Sequence, residues 1–196
     1  MEYLKFGLIG ITVLGFLFQA FRRLRDDYGE QRVVGASVLG VFFCSFFWWI
    51  GGKYELGIFA ILMGIIVLLF WLSTHSGWRF WPTLESITIP GLEALIIAQT
   101  ATLIDNFSWS LIFRAAASLI ALFSCFFWRN YRRFSWYPSG RSGFLFLAAL
   151  TTLSLIMLPL DFWQKRLLEL GVWGIMLIAG LSGIILLSGK KSARVN

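Results

Sequence analysis

The sequence predicts an all-α integral membrane protein, a bundle of about seven transmembrane helices, and three observations predict it. Hydrophobic residues make up 58% of the chain and charged residues only 14%, with a mean hydropathy of +0.77. The apolar residues fall in runs of about the 20 that a hydrocarbon core of about 30 Å requires. The cations collect between those runs, where cytoplasmic loops keep them. Seven crossings consume roughly 140 residues, so the 196-residue chain reads as one polytopic transmembrane domain over residues 1–196.

The first span is read at Leu4–Phe21, the second at Val33–Gly51 and the third at Tyr54–Ser73. The fourth, Ile87–Ile104, is the most polar, and the fifth (Trp109–Trp128), sixth (Phe144–Leu160) and seventh (Leu168–Ser188) follow. The N-terminus runs into Arg22, Arg23 and Arg25 rather than a small-residue cleavage site, so the first span reads as a retained helix. The Gly/Ser/Pro-containing stretch Tyr137–Gly143 reads as a cytoplasmic loop, because unpaired backbone groups do not face lipid.

Orientation follows from the cations of alternate connections. Twelve lie on one side: Arg22, Arg23, Arg25, Arg32, Arg79, Arg129, Arg132, Arg133, Arg141, Lys190, Lys191 and Arg194. Four lie on the other, Lys5, Lys53, Lys165 and Arg166, and Arg114 within the fifth span completes the 17. The N-terminus is therefore expected outside and the C-terminus in the cytoplasm. Trp48, Trp49, Trp109, Trp163 and Trp173 then map to the outer headgroup level, and Trp71, Trp78, Trp81, Trp128 and Trp136 to the inner one. Indoles prefer that level, so they read as anchors and not as a cofactor box. No cofactor is expected.

The net charge of +7 and pI near 9.9 would suggest nucleic acid in a soluble chain. Here no basic soluble face interleaved with aromatics exists to carry it, so nucleic acid is excluded as a partner. Cys44 and Cys125 both fall in apolar spans and read as small packing residues. The lone His75 has no second histidine or cysteine nearby, so no metal site is expected. A glycine-rich phosphate loop, a G-x-S-x-G elbow and an H-E-x-x-H helix are all absent. The spans also lack the regular charges of a voltage sensor or an acidic chain for protons.

An ionisable group inside a span costs on the order of 2.5–3.5 kcal/mol at the helix centre, so each is a functional candidate. Glu93 lies beside Pro90 and Gly91 in the fourth span, which also bears Gln99, Thr100 and Thr102 and ends in Asp105 and Asn106. That helix must face protein or a water-filled cleft. Glu93 reads as an interhelical hydrogen-bonding group or as a catalytic acid. Arg114 lies about 8 Å into the fifth span, within snorkelling reach of the outer surface. It reads as a cation for an anionic lipid headgroup, as an anchor, or as the partner of Glu93 or Asp105.

The order of these features resembles the bacterial prolipoprotein diacylglyceryl transferases. Phe6, Gly7 and Leu8 stand where that family has Tyr-Gly-Leu, and Phe59, Ala60 and Ile61 where it has His-Gly-Gly, with Gly64 one turn on. The family's signature Gly-Arg-Ile-Gly-Asn-Phe, preceded by Gln, corresponds to Gln99 followed by Thr102, Leu103, Ile104, Asp105, Asn106 and Phe107. Gln, Ile, Asn and Phe are kept, while the arginine is Leu103. The Glu after the signature becomes Leu111, and a later Arg and Glu become Met157 and Asp161.

The resemblance implies a seven-helix enzyme of the bacterial inner membrane that moves the diacylglyceryl group of phosphatidylglycerol onto the cysteine of an exported lipoprotein precursor. Glycerol phosphate leaves, and a departing phosphate in a low-dielectric site needs fixed cations. With Leu103 and Met157 in place of arginines, three functions are expected. The first is a degenerate member that keeps a phospholipid-binding cavity, with Gln99, Asn106, Arg114, Glu93, Asp105 and Asp161 as candidate residues. The second is an active transferase recruiting Arg114, Asp105 or Asp161, and the third a structural or partner-binding membrane subunit.

Overall fold

The computed structural model describes residues 2–52, 57–105, 107–131 and 141–188. These residues form seven α-helices and no strands: α1 (Glu2–Tyr28), α2 (Glu30–Gly52), α3 (Gly57–His75), α4 (Phe80–Asp105), α5 (Trp109–Trp128), α6 (Phe144–Trp163) and α7 (Leu167–Ser188). Five of them, α2 and α4–α7, are long and apolar enough to cross a membrane. In α3 the apolar stretch is shorter, Phe59–His75. The 27 residues of α1 take in Arg22, Arg23, Arg25, Asp26 and Asp27 at its C-terminal end.

The helices expected from hydropathy are present, with two boundaries displaced by about two turns; α1 runs on to Tyr28 rather than ending at Phe21. α4 starts at Phe80 rather than Ile87, because Pro82 sits in its first turn, where a missing N–H costs nothing. Pro90 lies inside the same helix and cannot bond back to Ser86. The freed Ser86 carbonyl accepts from Arg23 Nη1 of α1 at 3.3 Å. Most of the stretch expected as the loop Tyr137–Gly143 lies outside the described residues.

The chain forms two compact units, Met1–Leu14 with Thr88–Asn196 and Gly15–Ile87. In the second, Gly29 alone joins α1 to α2 and holds φ at +80°, a left-handed value that favours glycine. α2 packs on α3 through Gly64, where an added Cβ would sit 3.2 Å from the Phe47 ring and 3.3 Å from the Phe43 carbonyl. Tyr28, the last residue of α1, stacks flat on Trp78 with centroids 4.2 Å apart. Its hydroxyl lies 2.9 Å from Thr83 Oγ1 and accepts from the Arg79 N–H at 3.1 Å. Trp78 is therefore buried and not a lipid-facing anchor.

In the first unit α6 is the central helix, packed against α5 and α7, and half of its span is buried. α5 buries its small residues, Ala117, Ser118, Ala121 and Cys125, and exposes Phe113, Leu119, Ile120, Phe123, Phe126 and Phe127. Small residues let helix backbones approach while large apolar ones meet lipid, the pattern of a membrane helix. α7 uses the same device: an added Cβ on Gly180 would strike Thr151 Oγ1, and one on Gly183 would sit 2.8 Å from Leu147 Cδ1 of α6. At the α5 C-terminus and α6 N-terminus the core is aromatic, with Tyr131 stacked on Phe144 at 4.8 Å and Trp128, Ile184 and Leu187 around them.

Candidate functional site

At the opposite end of α5, α6 and α7 the helices carry charge where they meet. Arg114 lies just over one turn into α5, Asp161 two residues from the end of α6 and Glu169 in the first turn of α7. Arg114 Nη2 donates to Asp161 Oδ1 at 2.7 Å and also to Glu169 Oε2. The Asp161 side chain is fully buried, Glu169 is 6% exposed and Arg114 11%. Charges withdrawn this far persist only when paired. The second Glu169 oxygen, Oε1, accepts from Arg166 Nη1 at 2.9 Å, and that arginine remains 43% exposed. Two guanidinium groups and two carboxylates thus form a neutral set, with Glu169 bridging the buried cation to the exposed one.

Hydrogen bonds extend the cluster in both directions. Deeper in the bundle, Ser118 Oγ lies 3.0 Å from both Gln99 Oε1 of α4 and the Arg114 carbonyl. Toward the helix ends, Ser110 of α5 donates to Gln164 Oε1 at 3.0 Å. The buried Trp173 indole, one turn along α7 from Glu169, faces the Asp161 carboxyl. Trp173 is therefore part of this interior and not the headgroup anchor expected of it.

The α6–α7 turn adjoins the cluster through the Arg166–Glu169 bond. Phe162, Trp163, Leu167 and Leu168 are strongly exposed on either side of Lys165 and Arg166. Lys165 holds φ at 57°, the left-handed value that reverses the chain between the helices. Exposed aromatic and aliphatic side chains next to cations are the composition of a headgroup-level rim.

Of the six residues singled out by sequence, the structure pairs Arg114 directly with Asp161 and places Gln99 nearby, 3.0 Å from the Ser118 hydroxyl one turn along α5 from Arg114. Glu93 is half-buried on α4, about 9 Å from Gln99 along the helix axis. The side chain of Asp105, and Asn106 altogether, lie outside the described residues. Among the described residues Arg114 bonds Asp161 and Glu169, since the N-terminal part of α5 shares this end of the bundle with α6 and α7; the alternative partner Asp105 has its side chain outside them. Sequence reasoning missed Glu169, Arg166 and Ser118. A signal existed for the first two: Arg166 and Glu169 are three apart across a helix start, where an acid is favoured and such a pair meets.

His75 ends α3, with its ring stacked on Trp71 at 5.3 Å and Nδ1 2.8 Å from Thr74 Oγ1. Both cysteines are free thiols. Among the described residues no group of three or more His, Cys, Asp or Glu is placed to hold a metal ion. No family model matches the chain, and no curated protein or solved structure matches it either.

Proposed function

We propose that the chain crosses a bacterial cytoplasmic membrane seven times, N-terminus outside and C-terminus in the cytoplasm, and holds a phospholipid at the outer ends of α4–α7 without converting it. Direction is supported by the twelve cations on one side of the spans against four on the other. The observation that carries the lipid reading is the side-chain path from buried Asp161 through Arg114 and Glu169 to exposed Arg166, which ends in the apolar, cationic rim. Acyl chains suit the rim's Phe162, Trp163 and Leu167, and a headgroup phosphate suits its cations.

Resemblance to the diacylglyceryl transferases makes phosphatidylglycerol the candidate lipid. Transfer to a lipoprotein cysteine is the weaker reading, because a guanidinium committed to two carboxylates offers little uncompensated charge to a leaving phosphate. The same compensation favours a second reading, a structural membrane subunit in which the ion cluster only ties α5, α6 and α7 together.

Lipid extracted from protein purified in mild detergent and analysed by mass spectrometry separates these readings. Phosphatidylglycerol enriched over its share of the membrane, and lost in Asn106→Leu, is the expected result. Wild-type protein without enriched phospholipid would leave the structural reading. A lipidated lipobox peptide formed with phosphatidylglycerol would establish the transferase.

A further inference from the structure

Glu169 touches two cations, and those cations differ. Its Oε2 accepts from Arg114, which is nearly enclosed and also held by Asp161. Its Oε1 accepts from Arg166, which is almost half exposed at the rim. A carboxylate bridging two guanidinium groups uses its two oxygens as a phosphodiester would use its two non-bridging oxygens. The charge agrees as well. With Glu169 withdrawn, Arg114, Arg166 and Asp161 sum to one positive charge, which one phosphodiester anion neutralises. Asp161 is placed differently: its bond is to the nearly enclosed Arg114, whereas Glu169 also reaches the exposed Arg166.

We infer that Glu169 is a built-in stand-in for the phosphate of an anionic phospholipid: its carboxylate holds the seat between Arg114 and Arg166 until a phosphodiester arriving at the rim displaces it. This inference rests on the lipid-binding reading above and adds the seat, the second cation and a competition that sets affinity. Glu169 sits in the first turn of α7, three residues from Arg166 and next to the exposed Leu167 and Leu168 of the rim. No bond is made or broken in the exchange.

The test uses full-length protein in phosphatidylcholine nanodiscs, titrated with phosphatidylglycerol or, in a parallel arm, with inorganic phosphate. Intrinsic tryptophan fluorescence is the readout, since Trp173 is buried one turn from Glu169. Glu169→Gln removes the competing charge and should tighten phosphatidylglycerol binding roughly tenfold, the scale of one charge-assisted contact. Arg166→Gln, at a half-exposed position, should weaken it by a similar factor. Tightening for inorganic phosphate as well would identify a general anion seat, and tightening for phosphatidylglycerol alone a lipid seat; both support the exchange. Wild-type binding that Glu169→Gln leaves unchanged or weakens would overturn the stand-in while leaving the lipid reading intact. Failure of wild type and Glu169→Gln alike to bind either probe would overturn both.

Discussion

Arg114 of α5 and Asp161 of α6 form a 2.7 Å ion pair in which the carboxylate has no exposure at all. Its stability consequence depends on which partner is removed. Arg114→Met leaves Asp161 buried without its cation, whereas Glu169 keeps Arg166. Asp161→Leu leaves Arg114 with Glu169. The double variant leaves the Glu169–Arg166 pair balanced. Breaking a buried pair costs about 3–5 kcal/mol in soluble proteins, and less in membranes, where the unfolded state also finds partners. Thermal unfolding in detergent should therefore rank Arg114→Met lowest, at a loss of about 2 kcal/mol, then Asp161→Leu, with the double variant above both. Additive losses would show that the two side chains are not coupled.

The α6–α7 contact predicts a rescue. An added Cβ on Gly180 would collide with Thr151 Oγ1, and that oxygen is tied to the Leu147 carbonyl at 2.7 Å and cannot swing away freely. Gly180→Ala should cost about 1–3 kcal/mol, the range for overpacking. Thr151→Ala in the same chain should recover most of it. Gly174→Ala, with nothing within 4 Å, should be neutral or slightly stabilising. The midpoint of chemical or thermal unfolding checks all three, and a harmless Gly180→Ala would contradict the close approach.

How much of this was legible in the sequence depends on the range of the interaction. Runs of apolar residues marked all seven helices, because each run is set by local composition. α4 began earlier than expected because Phe80–Ser86 mixes polar and apolar residues, and only its proline position signals a helix start. Gln99 and Arg114 stood out because polar groups in apolar spans are costly, and Asp161, just past the sixth span, stood out through the family resemblance. Which of them pair was not legible: Arg114 meets residues 47 and 55 positions away. The anchor reading failed for Trp78, buried in the α3–α4 connection, and for Trp173 on α7, since position in the sequence does not say which side chains pack against protein.

At the other unit, the Tyr28 hydroxyl joins the end of α1 to the start of α4 through Thr83 and the Arg79 N–H, while its ring lies on Trp78. Tyr28→Phe keeps the stacking and loses the hydrogen bonds, so a loss of about 1 kcal/mol is expected. Tyr28→Ala loses the ring as well and should cost clearly more. Fluorescence should separate the two variants, because the Trp78 environment changes only when its stacking partner is removed. Equal spectra for the two would argue against the stack.

Topology gives the last prediction. In a Cys44→Ala, Cys125→Ala background, a single cysteine at Lys165 should react from outside intact cells with a membrane-impermeant maleimide, because the α6–α7 turn belongs to the cation-poor side. A cysteine at exposed Ser76, between α3 and α4, should react only after the cells are opened. The pair also tests the number of crossings. Lys165 and Ser76 are separated by α4, α5 and α6, so three crossings put them on opposite sides and two would put them on the same side. Labelling of both sites from outside would break the seven-span count, whereas a cysteine at position 165 that reacts only after the cells are opened would move Arg166 and its rim away from the outer headgroup level.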